Sequence, residues 1–144
     1  MGLLDNYTGI GMCPRPNFLH QDYMLHTAHS MYDEVFENGN IVRTEATITD
    51  NLNDKAPDVI IYNQNNFPLM ILEITTYREC KKIMQKCEKL QARFPECECF
   101  VFDYENHELF LLDTEQCCWH SNSDYELYSS YLLHPLIFYI EFDK

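Results

Sequence analysis

Two carboxylates lie inside short apolar segments whose composition predicts β-strands. Asp58 begins the segment Asp-Val-Ile-Ile-Tyr, and Glu73 lies within the segment Met-Ile-Leu-Glu-Ile. A hairpin centred between Asn65 and Asn66 pairs Asp58 directly with Glu73, which places both side chains on one face with Cβ atoms about 5 Å apart. The sequence therefore predicts two like charges at facing positions of a sheet.

Facing carboxylates repel each other unless a cation lies between them. At an effective dielectric constant of about 20, two like charges ~4 Å apart cost ~4 kcal/mol. A divalent cation reverses the sign of this interaction, and Mg²⁺ is commonly held by one or two carboxylates together with water and substrate phosphates. The simpler alternatives are a solvated strand-end acid for Asp58 and an ion pair with Lys or Arg for Glu73. Because the two residues face each other, we favour a metal site.

A short motif around these two acids resembles a known pattern. Pro57-Asp58, followed after a turn by Glu73-Ile74-Thr75 and then by a helix, resembles the PD-(D/E)XK nuclease superfamily, which has the restriction-endonuclease-like fold. The resemblance implies that Asp58, Glu73 and the carbonyl of Ile74 bind Mg²⁺ or Mn²⁺. It also implies a lysine two residues after the glutamate, which assists hydrolysis. Thr75 occupies that position here, so the pattern is incomplete.

One branch of that superfamily, made of small single-domain endonucleases, carries the lysine on the following helix. The chain is similar to this branch over about residues 18–113. A first helix with His20-Gln21, a lysine-bearing helix and the strand Phe100-Val101-Phe102-Asp103 follow one another in the same order. The resemblance implies a nuclease domain with a helix-borne lysine and with a glutamate on the first helix.

The candidates for these two additional roles are helical residues. Lys86 and Lys82 share a flank of the second predicted helix, and we prefer Lys86 with Lys82 as the alternate. Glu34 lies beside the apolar stripe of the first helix and suits the glutamate role, with Glu45 in the first strand as its competitor. The simpler alternative for each is a solvated surface residue.

Hydrophobic periodicity defines the elements that must position these side chains. A helix is predicted from Phe18 to the stop at Asn38-Gly39, and a second from about Tyr77 to Phe94. Strands are predicted at 41–50, 58–62, 69–75, 100–102, 109–112 and 136–142, with a polar loop at 114–124. The order α-β-β-β-α-β predicts an α/β fold with a central mixed sheet flanked by helices. Residues 1–17 are predicted to be an irregular lead-in, and residues 18–144 a single nuclease-like domain with an aromatic-rich C-terminal extension.

The composition limits the classes of partner. The chain has 144 residues with 10 Lys and Arg against 23 Asp and Glu, which gives a net charge of −13. Such a protein does not bind nucleic acid by broad neutralisation of phosphates. Hydrophobic residues make up 46% of the chain, which excludes general disorder. No apolar run reaches membrane length and no signal peptide is evident, so no membrane partner is expected.

Seven cysteines cannot all pair within one chain, so reduced thiols in the cytoplasm are the simplest interpretation. Cys97 and Cys99 alternate along a strand and point to one face. Cys117-Cys118 with His120 could form a metal clip or a thiol nucleophile, but their spacing is not that of a structural zinc site. We therefore expect buried thiols at both pairs.

Two functions remain open from the sequence. The first is a metal-dependent endonuclease that hydrolyses phosphodiester bonds of nucleic acid, DNA being preferred, with homodimerisation through the aromatic-rich tail. The second is a catalytically inactive protein of the same fold whose acidic surface binds or inhibits a basic protein partner. Thr75 at the usual lysine position and the net charge both favour the second function.

Overall fold

Helices and strands follow one another in the predicted α-β-β-β-α-β order. The structure is a computed structural model, which describes residues 18–45 and 56–142. Its elements are α1 (Phe18–Glu37), β1 (Ile41–Thr44), β2 (Val59–Tyr62), β3 (Pro68–Thr75), α2 (Tyr77–Arg93), β4 (Glu98–Asp103), β5 (Glu108–Asp113), β6 (Cys118–Ser121) and α3 (Leu136–Ile140). The α/β class is confirmed. The predicted lead-in at 1–17 and the predicted strand and loop residues at 46–55 lie outside the described residues.

The six strands form one mixed sheet with the order β1-β2-β3-β4-β5-β6. The pair β3–β4 is parallel, and every other neighbouring pair is antiparallel. A parallel pair needs a crossover connection, and α2 supplies it between β3 and β4. Thr76 caps this helix, because its Oγ1 accepts a hydrogen bond from the N–H of Glu79 at 3.3 Å. The cap allows α2 to begin two residues after β3 ends.

Alternation along the strands divides the core into two layers. On β2, Val59 and Ile61 face a cluster that also contains buried residues of α1 and α3. Ile60 faces the opposite cluster, to which α2 contributes Cys80 and Cys87. Helices therefore cover both faces of the sheet, as the sequence predicts. Among the described helices, none combines the length and the apolar character needed to cross a membrane.

The end of α1 confirms the predicted stop at Asn38-Gly39. Gly39 has a φ of +83°, a conformation that costs glycine little and strains other residues. The N–H of Asn40 donates to the carbonyl of Val35 at 3.0 Å, which closes the last turn of the helix. The chain then enters β1 directly.

Two elements of the C-terminal third differ from the sequence prediction. Residues 118–121, predicted as part of a polar loop, form the edge strand β6. All four residues are half-buried, so the strand has no alternation of apolar and polar positions that the sequence could reveal. Residues 136–140, predicted as a strand, form the short helix α3. A short apolar run does not distinguish the two states. The burial of Leu136, Tyr139 and Ile140, at helical spacing, is the signal that separates them.

The aromatic-rich tail is part of the core, and Glu34 of α1 anchors it there. Leu127, Leu132 and Leu136 are buried in the cluster under α1. Both oxygens of Glu34 bind the tail, since Oε2 accepts from the N–H of Leu133 at 2.6 Å and Oε1 accepts from the hydroxyl of Tyr139 at 2.5 Å. Burial and the adjacent Glu34 carboxylate raise the pKa of Tyr139 to about 12.

We expect Tyr139→Phe to destabilise the protein by about 1.5–3 kcal/mol, because it removes a partly buried hydrogen bond to a charged group. Tyr128→Phe is the matched control, since Tyr128 donates to Glu126 on the exposed surface. Chemical denaturation measures both free energies of unfolding. Equal losses in the two variants would contradict an anchoring role for the Glu34–Tyr139 contact.

Candidate functional site

The predicted facing arrangement of Asp58 and Glu73 agrees with the register of the sheet. β2 and β3 pair antiparallel, with Val59 opposite Leu72. One further step along the same register places Asp58 opposite Glu73, at the end of the sheet where β2 begins and β3 approaches its last residues. The predicted register is therefore confirmed from Val59 to Ile61, whereas a register shift between Ile61 and Tyr62 pairs Tyr62 with Pro68 instead of Leu69.

Asp58 closes the end of the β2–β3 pair with its side chain. The carboxylate is buried, with 8% of the residue exposed, and its Oδ2 accepts a hydrogen bond from the N–H of Ile74 at 2.7 Å. His20 Nε2, from the first turn of α1, lies 3.2 Å from the same oxygen. Three elements therefore meet at one carboxylate, and the alternative of a solvated strand-end acid is wrong for Asp58.

Glu73 is also buried, with 4% of the residue exposed, and it contacts α2. Lys86 Nζ lies 2.5 Å from Glu73 Oε2, and 28% of the lysine side chain is exposed. Lys82, one turn earlier on the same helix, is exposed. The geometry thus selects Lys86 over Lys82 as the helix-borne amine near the acids. Thr75, at the usual lysine position, is buried and contacts the carbonyl of Thr76 at 3.4 Å.

Among the groups of this site, the Glu73 carboxyl has the most strongly shifted pKa. Burial is the largest cause and raises the pKa of Glu73 to about 7. Lys86 acts in the opposite direction, while the charge and the hydrogen-bonding contact of Asp58 raise the pKa further. The two carboxyl groups are therefore close enough to interact, and one lysine does not fully compensate for two buried acids.

His20 also belongs to this site, although the sequence pattern predicts no catalytic or metal-binding role for it. Its hydrogen bond to Asp58 is the largest cause that raises its pKa, and burial opposes the shift. The charges of Asp58, Glu45 and Glu73 raise the pKa further. The signal in the sequence is the His20-Gln21 pair at the start of the first helix, which belongs to the resemblance but does not specify a contact.

Glu34 does not join this site, so the expectation from the resemblance is corrected. Its carboxylate is engaged by Leu133 and Tyr139 in the C-terminal segment. Glu34 also lies fourteen residues beyond His20 on α1, which is about 21 Å along the helix axis. Glu45, its competitor, lies at the site end of the sheet, where its N–H donates to the carbonyl of Asp58 at 3.0 Å.

The donor set at this end of the sheet fits a hard divalent cation. Oδ2 of Asp58 contacts Ile74 and His20, and Oε2 of Glu73 contacts Lys86, so a cation would compete with these partners for the two carboxylates. Carboxylate and carbonyl oxygens are the ligands that Mg²⁺ and Mn²⁺ prefer. Binding requires Glu73 to be ionised and to exchange its pairing with Lys86 for the metal. The carbonyl of Ile74 as a further ligand stays a prediction.

Within the described part of the chain, the cysteines divide into buried thiols and thiols that are open to solvent. Cys97 and Cys99 are buried in the cluster under α2, as predicted. Cys117 is exposed and Cys118 is half-buried, so the expectation of buried thiols is wrong for this pair. The reason is that β6 is the last strand of the sheet, so the turn before it and its outer edge are open to solvent.

Comparison with known proteins provides no family assignment. No model of a known protein family matches the chain, and a search of curated proteins finds no match. The interpretation of the site therefore rests on the residues and contacts described above.

The pKa of Glu73 predicts a dependence of stability on pH. The folded protein retains this proton up to about pH 7, whereas an ordinary glutamate loses it near 4.5. The contribution of Glu73 to the free energy of unfolding is therefore complete below about pH 4.5, and it is lost as the pH rises from there to about 7. In Glu73→Gln, the free energy of unfolding in a chelating buffer should therefore fall less over this range. Glu96→Gln, which changes an exposed carboxylate, should retain the slope of the unmodified protein. An unchanged slope in Glu73→Gln would contradict the raised pKa.

Proposed function

We propose that the protein is a metal-dependent endonuclease that hydrolyses phosphodiester bonds of nucleic acid, DNA being the preferred substrate. The observation that carries this proposal is the convergence of Asp58, Glu73 and Lys86 at one end of the sheet. Two facing acids can hold a divalent cation that polarises a phosphoryl oxygen and activates water, and a nearby amine can stabilise the charge that develops. The order of elements and the Pro57-Asp58 and Glu73-Ile74 motifs support a restriction-endonuclease-like arrangement.

Each residue of the site has a role in this proposal. Asp58, Glu73 and the carbonyl of Ile74 would hold Mg²⁺ or Mn²⁺. When bound, the metal supplies Lewis-acid polarisation of the scissile phosphate and lowers the pKa of a water molecule. Lys86, released from Glu73, orients that water or stabilises the charge that develops on the phosphate oxygens. His20 is a positioning residue, because it touches Asp58.

The charge of the chain is consistent with a substrate whose binding depends on metal. With a net charge of −13, the protein repels a polyanion over long distances. A divalent metal would neutralise the charge of the Asp58 and Glu73 pair, so binding and catalysis would depend on the same ion. We also propose a cytoplasmic, reducing location for the free thiols. A homodimer would form through exposed tail aromatics such as Tyr125 and Phe138.

A non-catalytic protein of the same fold is the second candidate. The Glu73–Lys86 ion pair forms without a metal ion, and it matches the simpler alternative for Glu73 that the sequence left open. Thr75 at the usual lysine position and the acidic composition favour a protein that binds a basic partner. The two candidates differ in one property, which is metal-dependent cleavage.

Lys86→Ala should abolish cleavage of labelled DNA while leaving Mn²⁺ binding largely intact, because the amine is not a metal ligand. Lys82→Ala is the matched control, since Lys82 lies one turn away on the same helix and is exposed. Gel-based cleavage assays and calorimetric titration with Mn²⁺ measure the two properties separately. Full activity in Lys86→Ala would exclude a catalytic role for this lysine. Absence of cleavage by the unmodified protein, with single- and double-stranded DNA and RNA, would favour the non-catalytic candidate.

The double change Asp58→Asn with Glu73→Gln should remove cleavage and improve metal-free binding of DNA. It deletes two like charges near the position of the phosphate. Titration of labelled DNA in a chelating buffer, at fixed salt, compares the double variant with the unmodified protein. Tight metal-free binding by the unmodified protein, with no gain in the double variant, would show that a basic surface elsewhere dominates recognition.

A further inference from the structure

The β5–β6 hairpin carries a second group of potential ligands, away from the proposed nuclease site. Asp113 lies opposite Cys118 in the ladder, and His120 follows two residues later on the same face of β6. One ligand atom from each of these three residues lies within 4.8 Å of the other two. A carboxylate oxygen, a thiol sulfur and an imidazole nitrogen therefore converge on one small volume at the edge of the sheet.

The turn of the hairpin orients Asp113 toward this volume. Its Oδ1 accepts hydrogen bonds from the N–H groups of Glu115 at 2.9 Å and Gln116 at 3.1 Å. Its Oδ2 lies 2.8 Å from Nε2 of His120. The contact with His120 and the backbone N–H groups hold the pKa of Asp113 below its usual range. The two turn N–H groups and His120 thus fix the orientation of the carboxylate.

The donor set identifies the class of ion that fits. Zn²⁺ accepts sulfur, nitrogen and carboxylate oxygen at about 2.0–2.3 Å in a tetrahedral arrangement, which separates the ligand atoms by about 3.3–3.8 Å. The cluster reaches this spacing through sub-ångström to ångström shifts, chiefly an opening of the Asp113–His120 contact. Mg²⁺ is a poor fit, because a thiolate and an imidazole are not its preferred ligands.

We propose that Asp113, Cys118 and His120 form a zinc site that is separate from the Asp58 and Glu73 pair. Three protein ligands leave the fourth tetrahedral position for water or an external ligand, as in open zinc sites. The sequence indicates Cys118 and His120 as a possible metal clip but does not indicate Asp113, because the ligands come from two strands and meet only through the register of the hairpin. A cysteine nucleophile paired with His120 is the competing interpretation. Each of the three ligand atoms lies close to both of the others. This arrangement favours a shared metal ion over a chain of contacts that runs from Cys118 through His120 to Asp113.

The test is a titration of the reduced full-length chain with Zn²⁺ against a chromophoric chelator, repeated with Co²⁺ to observe a thiolate-to-metal charge-transfer band. We expect one tight zinc equivalent, and a loss of affinity of at least about tenfold in Cys118→Ser and in His120→Ala. Cys117→Ser is the matched control, because its exposed thiol neighbours Cys118 but lies outside the cluster. It should bind zinc with unchanged affinity.

The double variant Asp58→Asn with Glu73→Gln separates this site from the proposed nuclease site, and it should retain the zinc equivalent. Far-UV circular dichroism confirms that each variant is folded. Unchanged zinc affinity in Cys118→Ser, or equal loss in Cys117→Ser, would overturn the proposal. Absence of the thiolate band, together with rapid alkylation of Cys118 that depends on His120, would instead favour the nucleophile.

Discussion

The burial of two carboxylates at one end of the sheet is the constraint on which the arrangement of the other elements depends. A buried charge is costly unless it is hydrogen-bonded or paired. Asp58 satisfies this condition with the N–H of Ile74 and with His20, and Glu73 satisfies it with Lys86. The hairpin, the start of α1 and the middle of α2 must therefore meet at this point. Removal of any one partner would leave a buried acid less compensated.

The positive charge around the two carboxylates does not fully compensate for their burial, and this makes the site a candidate for binding a cation. Two acids face one lysine and one histidine, and the pKa of Glu73 remains raised to about 7 despite its contact with Lys86. Perturbed groups of this kind are enriched at functional sites, although structural ion pairs produce them as well. A divalent cation would supply the missing positive charge and would release the lysine for chemistry. The Asp113, Cys118 and His120 cluster presents softer donors, so the two proposed sites would select different ions.

The parts of the site that were predictable from the sequence depend on short-range geometry. The facing positions of Asp58 and Glu73 follow from one hairpin, and the choice of Lys86 follows from helical spacing beside the core stripe. The role expected for Glu34 failed because its partners lie about a hundred residues away in the tail. Similarly, the sequence predicts a strand where α3 forms, because a short apolar run carries no clear period, and it predicts a loop where β6 forms, because these residues lack the apolar alternation of a half-buried strand. The contact of His20 with Asp58 depends on how α1 packs against the sheet, which no local pattern encodes.

The most direct test of the central claim is anomalous diffraction from crystals of the unmodified protein grown with Mn²⁺. We expect an anomalous peak within bonding distance of carboxylate oxygens of both Asp58 and Glu73, with the Lys86 amine displaced from Glu73. An intact Glu73–Lys86 pair without an anomalous peak between the two acids, in crystals grown with Mn²⁺ in large excess over protein, would contradict this assignment.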